Sequence, residues 1–192
     1  NKKSSEIQDL SQIADTFNAT NKKTLVLVNY SPYLSDFCYW LQQLIAESLG
    51  KKNKGLVPLV SNCPKDHHSL LQLYLDGPKD KFFYVFNGSS LINTKLNKNR
   101  FSKTFSFLSN KKIEKIVKAQ KVSLTNVFKK NKISFREINI NNHNEEVLGE
   151  LFAFFMVETV LIGKIIKVNP FNQPAVEEVK KITRKILKKS TK

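Results

Sequence analysis

Three ionisable side chains stand where packing alone gives no reason for them, and each has a type suited to moving protons. The first is Glu47, in Trp40-Leu-Gln-Gln-Leu-Ile-Ala-Glu47-Ser-Leu-Gly-Lys51. With Phe37 at zero on a helical wheel, Glu47 falls at about 280° beside Trp40 at about 300°, on the border of the apolar stripe. A carboxylate on that border loses part of its hydration and becomes a stronger general base. On spacing alone, a solvated boundary glutamate fits equally well.

The second is His68, in Pro64-Lys-Asp-His-His68-Ser-Leu-Leu-Gln-Leu-Tyr-Leu-Asp-Gly-Pro78. With Asp66 as N-cap, His68 takes the second helical position, where the helix dipole disfavours imidazolium and leaves a ring able to exchange a proton with a hydroxyl. Adjacent histidines do not readily chelate one ion, and no Cys, Asp or third His has metal spacing. A surface or structural His pair is the bland alternative. The third is Lys180, in Asn169-Pro-Phe-Asn-Gln173-Pro-Ala-Val-Glu-Glu-Val-Lys180. Lys181, Lys185, Lys188 and Lys189 project away from the stripe Val176, Val179, Ile182, Thr183, Ile186 and Leu187, whereas Lys180 falls within about 40° of Val176. Its stem should pack on the domain and its ammonium emerge at a cleft, unless it is a snorkelling surface lysine.

The elements that must carry these groups follow from hydrophobic periodicity. Glu6 to Asn18 repeats its apolar residues Ile7, Leu10, Ile13, Ala14 and Phe17 at helical spacing. Thr24 to Tyr30 is a continuous apolar run of the length of a buried parallel strand. A helix over Leu34 to Leu49, a basic turn over Gly50 to Gly55, a strand over Leu56 to Ser61 and a short helix ending near Asp76-Gly77-Pro78 come next. Lys81 to Phe86 reads as a third strand, Ile113 to Phe128 as a helix, and Ile133 to Ile140 as a fourth strand. Asn87 to Lys103 is polar and looks poorly ordered. Glu145 to Val168 reads as a long, largely buried helix and Pro174 to Lys188 as a terminal one.

Strands separated by helices imply right-handed crossovers, giving an α/β, three-layer doubly wound, mainly parallel sheet with helices on both faces. Ligands in such sheets sit beyond the carboxyl ends of the strands, so Glu47, His68 and Lys180 are expected together at that edge. No GxGxxG, P-loop or internal repeat is present, and there are only six glycines.

The formal net charge is +16, yet 29 of the basic residues are lysines against only Arg100, Arg136 and Arg184. Specific polynucleotide recognition favours the arginine fork, and the lysines are scattered, so a solvated surface or attraction of a small anionic substrate fits better than nucleic acid. Val147 to Val168 is broken by charges and glycines, so no membrane span is expected. Cys38 and Cys63 have neither metal spacing nor a CxxC and read as reduced thiols. The N-terminus lacks the apolar core of a signal peptide, which points to the cytoplasm. The chain begins at Asn1 and its one methionine is Met156, so it reads as a piece of a longer protein.

Ala46-Glu-Ser-Leu-Gly-Lys51, Asp66-His-His-Ser-Leu-Leu-Gln-Leu-Tyr-Leu-Asp-Gly-Pro78, Val157-Glu-Thr159 and Asn169-Pro-Phe-Asn-Gln-Pro-Ala-Val-Glu-Glu-Val-Lys180 resemble, in order and spacing, the second half of bacterial glucose-6-phosphate isomerases. The likeness covers roughly Thr24 to Leu187. It implies a single C-terminal sugar isomerase (SIS) domain over residues 1–192, including the terminal helix at 174–188, with the N-terminal domain absent. By that resemblance Glu47 would shuttle a proton between C1 and C2 of a phosphorylated hexose through a cis-enediol. His68 and Lys180 would assist ring opening, and Gln173 would hold substrate.

Such chemistry needs no metal or redox cofactor if a fixed positive charge steadies the enediolate. The family draws that charge from an arginine in its first domain, beside a Ser/Thr-rich phosphate loop, and neither motif is here. The isolated chain is therefore expected to be inactive. The resemblance also implies a homodimer in which His68 serves the neighbouring subunit's site. His67 stands where Gln is usual and Asn172 where Asp is usual. A non-catalytic sugar-phosphate-binding regulatory domain is the alternative reading.

Overall fold

The computed structural model describes residues 10–19, 21–88, 94–97 and 102–189. Helix α1 (Leu10–Asn18) leads into strand β1 (Thr24–Asn29), a 3-10 turn (Pro32–Leu34) and helix α2 (Ser35–Leu49). Strand β2 (Val57–Asn62) is followed by two short helices, α3 (Lys65–Ser69) and α4 (Leu71–Asp76), and by β3 (Lys81–Gly88). A 3-10 helix (Lys103–Leu108), α5 (Ile113–Lys130), β4 (Phe135–Ile140), α6 (Glu145–Ile165) and α7 (Pro174–Lys189) complete the order. Residues 6–9 of the expected first helix and most of the stretch read as poorly ordered lie outside the described residues.

The four strands form one sheet in the order β2-β1-β3-β4, every neighbouring pair parallel. Strand β3 passes to the far side of β1, and with right-handed crossovers this reversal sends α2 to one face and α5 to the other. Side-chain alternation then builds two cores. Leu25, Leu27, Phe82, Tyr84 and Phe86 meet α1, α2 and α6, while Val26, Val28, Phe83, Val85 and Phe135 meet α4 and α5. The three-layer α/β arrangement expected from the sequence is the one observed. Each fully buried phenylalanine, among them Phe82, Phe86, Phe128 and Phe155, contributes about 2 kcal/mol by leaving water.

Four local expectations are corrected. Asp66 lies inside α3, whose N-cap position is Pro64, so His68 is the fourth helical residue and not the second. The Asp66 carboxylate instead accepts from the Asn62 backbone N–H at 2.8 Å, tying the helix back to the strand. Helix α6 stops at Ile165 and is not largely buried: Phe154, Met156, Val157, Leu161 and Ile165 are exposed. Helix α7 buries no residue at all, so its apolar stripe is uncovered.

Strand β4 carries charge on both faces. Arg136 reaches Glu158 of α6 at 2.5 Å, and Glu137 reaches Lys121 of α5 at 2.7 Å. Tyr84 donates its hydroxyl to Glu158 at 3.1 Å from the neighbouring strand. Among the described residues, no helix is long and apolar enough to cross a membrane.

Candidate active site

Because β1 and β2 are parallel, α2 must run antiparallel to them, from the carboxyl edge of β1 to the amino edge of β2. Glu47 lies in its last turn and therefore sits at the amino edge of the sheet. Helix α6 makes the same return after β4, bringing the segment after Ile166 to that edge too. Two lysines of the turn following α2 tie the segments together: Lys51 Nζ donates to the Asn169 carbonyl at 2.6 Å and Lys54 Nζ to the Ile166 carbonyl at 2.8 Å. The turn needs left-handed backbone at Lys52, Asn53 and Gly55; at Gly55 a Cβ would also lie 2.7 Å from the Leu49 carbonyl oxygen.

This clamp delivers Gln173 to Glu47. The Gln173 side-chain amide donates to Glu47 Oε2 at 2.6 Å, while Gln43, one turn earlier on α2, donates to Oε1 at 3.0 Å. Both carboxylate oxygens thus accept from uncharged side-chain amides. The half-buried carboxylate faces a cavity of about 520 Å³ also lined by Lys51, Lys52, Asn169, Asn172 and Gln173. Burial lowers the Lys51 ammonium below the ordinary lysine value.

Lys180 is one helical face further along α7. Its ammonium is 2.8 Å from Glu177, and that carboxylate raises it above the ordinary lysine value, with a further contribution from the charge of Glu47. The stem does not pack on the domain as the wheel suggested: the side chain is 65% exposed. The wheel identified a stripe correctly, but the described residues place no surface against it.

His68 is elsewhere. It is exposed on α3, just past the carboxyl end of β2. Strand β2 has six residues, so about 20 Å of sheet separates that edge from Glu47. The expectation that Glu47, His68 and Lys180 gather at one edge is corrected: Glu47, Gln173 and Lys180 share the amino edge, and His68 is alone at the other.

Sequence reasoning missed several members of these neighbourhoods. Gln43 was detectable, since residues four apart on a helix are neighbours. The lysine clamp was not, because its acceptors are backbone carbonyls. Nor was the hydrogen bond of 2.5 Å between Tyr30 Oη and His67 Nε2, which anchors α3 to the end of β1. Burial pushes Tyr30 well above the ordinary phenol value, so its hydroxyl keeps its proton, and burial lowers His67 so that Nε2 can accept it.

A four-strand parallel sheet between helical layers, with ionisable groups at both edges, defines a three-layer α/β domain. Comparison with known proteins agrees. The chain is 35% identical over 178 residues to the glucose-6-phosphate isomerase of Methanocaldococcus jannaschii, covering 90% of this chain and 42% of that protein. It is 37% identical over 163 residues to the enzyme of the same name from Mycoplasmopsis synoviae, covering 81% of this chain and 37% of that protein.

Among solved structures, a hypothetical protein from Thermus thermophilus superposes with a TM-score of 0.82 at 26% identity, over 93% of this chain and 44% of that one. A glucose-6-phosphate isomerase from Chlamydia trachomatis shares the fold, with a TM-score of 0.76 at 15% identity over 94% of this chain and 37% of that one. No family model matches the chain. The chain is similar to glucose-6-phosphate isomerases and spans about two fifths of the length of the curated relatives it matches.

Proposed function

We propose that this chain is the C-terminal sugar isomerase domain of a glucose-6-phosphate isomerase and supplies the proton-transfer groups that interconvert glucose 6-phosphate and fructose 6-phosphate. The observation that carries the reading is Glu47, half-buried, held through both oxygens by Gln43 and Gln173, and open to a lysine-lined cavity. Sequence identity to named isomerases over most of the chain supports it.

In this reading the Glu47 carboxylate removes the proton at C2 of the open-chain aldose and returns it to C1 of the cis-enediol. One base acting on one face serves both halves of the reaction. Gln173 orients that carboxylate and, when substrate enters, a substrate hydroxyl. Lys180, next to the cavity on α7, carries the charge that helps ring opening, and Lys51 and Lys52 add positive potential for an anionic sugar. The groups for the 6-phosphate and the fixed charge on the enediolate belong to the N-terminal domain of the same enzyme.

His68 faces away from its own Glu47, so it takes part in ring opening only in the site of a second chain. The complete enzyme then acts as a homodimer, in the cytoplasm, with Glu47 and His68 of one subunit serving different sites.

The test uses the full-length protein. E47Q should lower kcat by about 10²- to 10⁴-fold and abolish exchange of the C2 hydrogen with solvent deuterium. Mixing E47Q subunits with H68A subunits should restore activity to dimers that then hold one intact site. Exchange at the wild-type rate in E47Q would end the proposal.

A further inference from the structure

On the opposite face of the sheet from Glu47 lies a cavity of about 570 Å³, enclosed by α3 and α4, the 3-10 helix Lys103–Leu108, and α5. Its walls are apolar, with Leu71, Leu75 and Leu124 at the sheet side and Phe105 and Phe107 at the rim. The two phenylalanines are 53% and 65% exposed, an unfavourable placement for large rings that have nothing to cover. That volume lies in the range of small-molecule sites, which combine apolar walls with a few convergent polar groups.

Three polar features say which chemistry fits. Gln120 lines the cavity, and its side-chain oxygen is shielded from solvent without a hydrogen-bond partner among the described residues. A buried acceptor in that state calls for a donor. Lys111 and Lys115 line the same cavity and supply positive charge at its edge. His67 also lines the cavity, its Nε2 already engaged by Tyr30.

We propose that this cavity is a second ligand site, built for a flat heteroaromatic body carrying an exocyclic amine and an anionic tail, the chemistry of a purine nucleoside monophosphate. The amine satisfies Gln120, the ring lies between the leucines and the two phenylalanines, and the phosphate meets Lys111 and Lys115. Aromatic faces favour a ring system over a sugar phosphate alone. Because the site shares no lining residue with the Glu47 cavity, the inference does not depend on the isomerase reading.

Calorimetric titration of the full-length protein with adenosine 5′-monophosphate tests it. One ligand should bind per chain, and excess glucose 6-phosphate should not displace it. Ribose 5-phosphate, which lacks the base, should bind at least about tenfold more weakly. Replacing Gln120 by leucine should weaken binding about fivefold by removing one hydrogen bond. The double variant K111Q/K115Q, at two exposed positions that leave the fold untouched, should weaken it about tenfold and flatten its salt dependence. The proposal is overturned by absence of heat up to about 1 mM ligand, by ribose 5-phosphate binding as tightly as the nucleotide, by displacement with glucose 6-phosphate, or by unchanged affinity in both variants.

Discussion

Replacing Glu158 by leucine should destabilise this domain more than any surface substitution, and the structure sets the size. Glu158 is 6% exposed and Arg136 12%, so both charges of the 2.5 Å pair are largely out of water. Removing the carboxylate leaves the guanidinium buried without its carboxylate partner, held by a side-chain hydrogen bond with Tyr84 and by the rings of Tyr84 and Phe154 at 5.5 and 5.2 Å. It also takes away the acceptor of the fully buried Tyr84 hydroxyl.

Breaking a buried pair from one side costs about 3–5 kcal/mol. Arg136 and Glu158 both line a cavity of about 440 Å³ through which water can reach the stranded charge. The lower end, about 3 kcal/mol, is therefore expected. That is a large share of the roughly 5–15 kcal/mol that a domain has.

The double variant R136M/E158L removes both charges and should recover at least about 2 kcal/mol of that loss. Urea denaturation followed by far-ultraviolet circular dichroism measures all three. A cost below about 1 kcal/mol for E158L, or strict additivity in the double variant, would contradict a desolvated, coupled pair.

Three further outcomes follow from burial. His67 is held below the ordinary imidazole value, so the unfolded chain binds the proton more readily; stability is full above about pH 6.5 and falls as pH drops below it. H67Q should flatten the decline between about pH 7 and 5, and an equal slope in both proteins would rule out His67 as its source. Burial pushes the thiols of Cys38 and Cys63 up to about 12, so a disulfide reagent at about pH 8 should label both slowly until urea unfolds the chain; rapid labelling of the half-buried Cys63 would contradict its raised value. Helix α7 buries nothing, so truncation after Gln173 should change unfolding free energy by no more than about 0.5 kcal/mol, and a larger loss would mean α7 packs on the domain.

Much of this was legible in the residue pattern. The continuous apolar runs of β1 and β3 cannot be half-exposed strands, and the stripes of α1 and α2 need an apolar layer to cover them, so the layered α/β arrangement follows from local periodicity. Glu47 was placed on the border of its stripe, and it is half-buried. Helix α7 shows the limit of that reasoning. Its stripe is as regular as that of α2, yet amphipathicity says which face seeks cover and not whether cover exists.

Residue order alone dictates the four strands, the longer helices, the face each helix would bury, and the motifs that carry Glu47, His68, Gln173 and Lys180. Which of those residues meet is a property of the folded chain. Antiparallel return of α2 and α6 brings Glu47 and Gln173 to one edge of the sheet and leaves His68 at the other, and two lysine-to-carbonyl bonds complete the junction. Spacing along the chain cannot carry that information, because a parallel crossover reverses direction with every helix, and backbone acceptors have no signature in residue type.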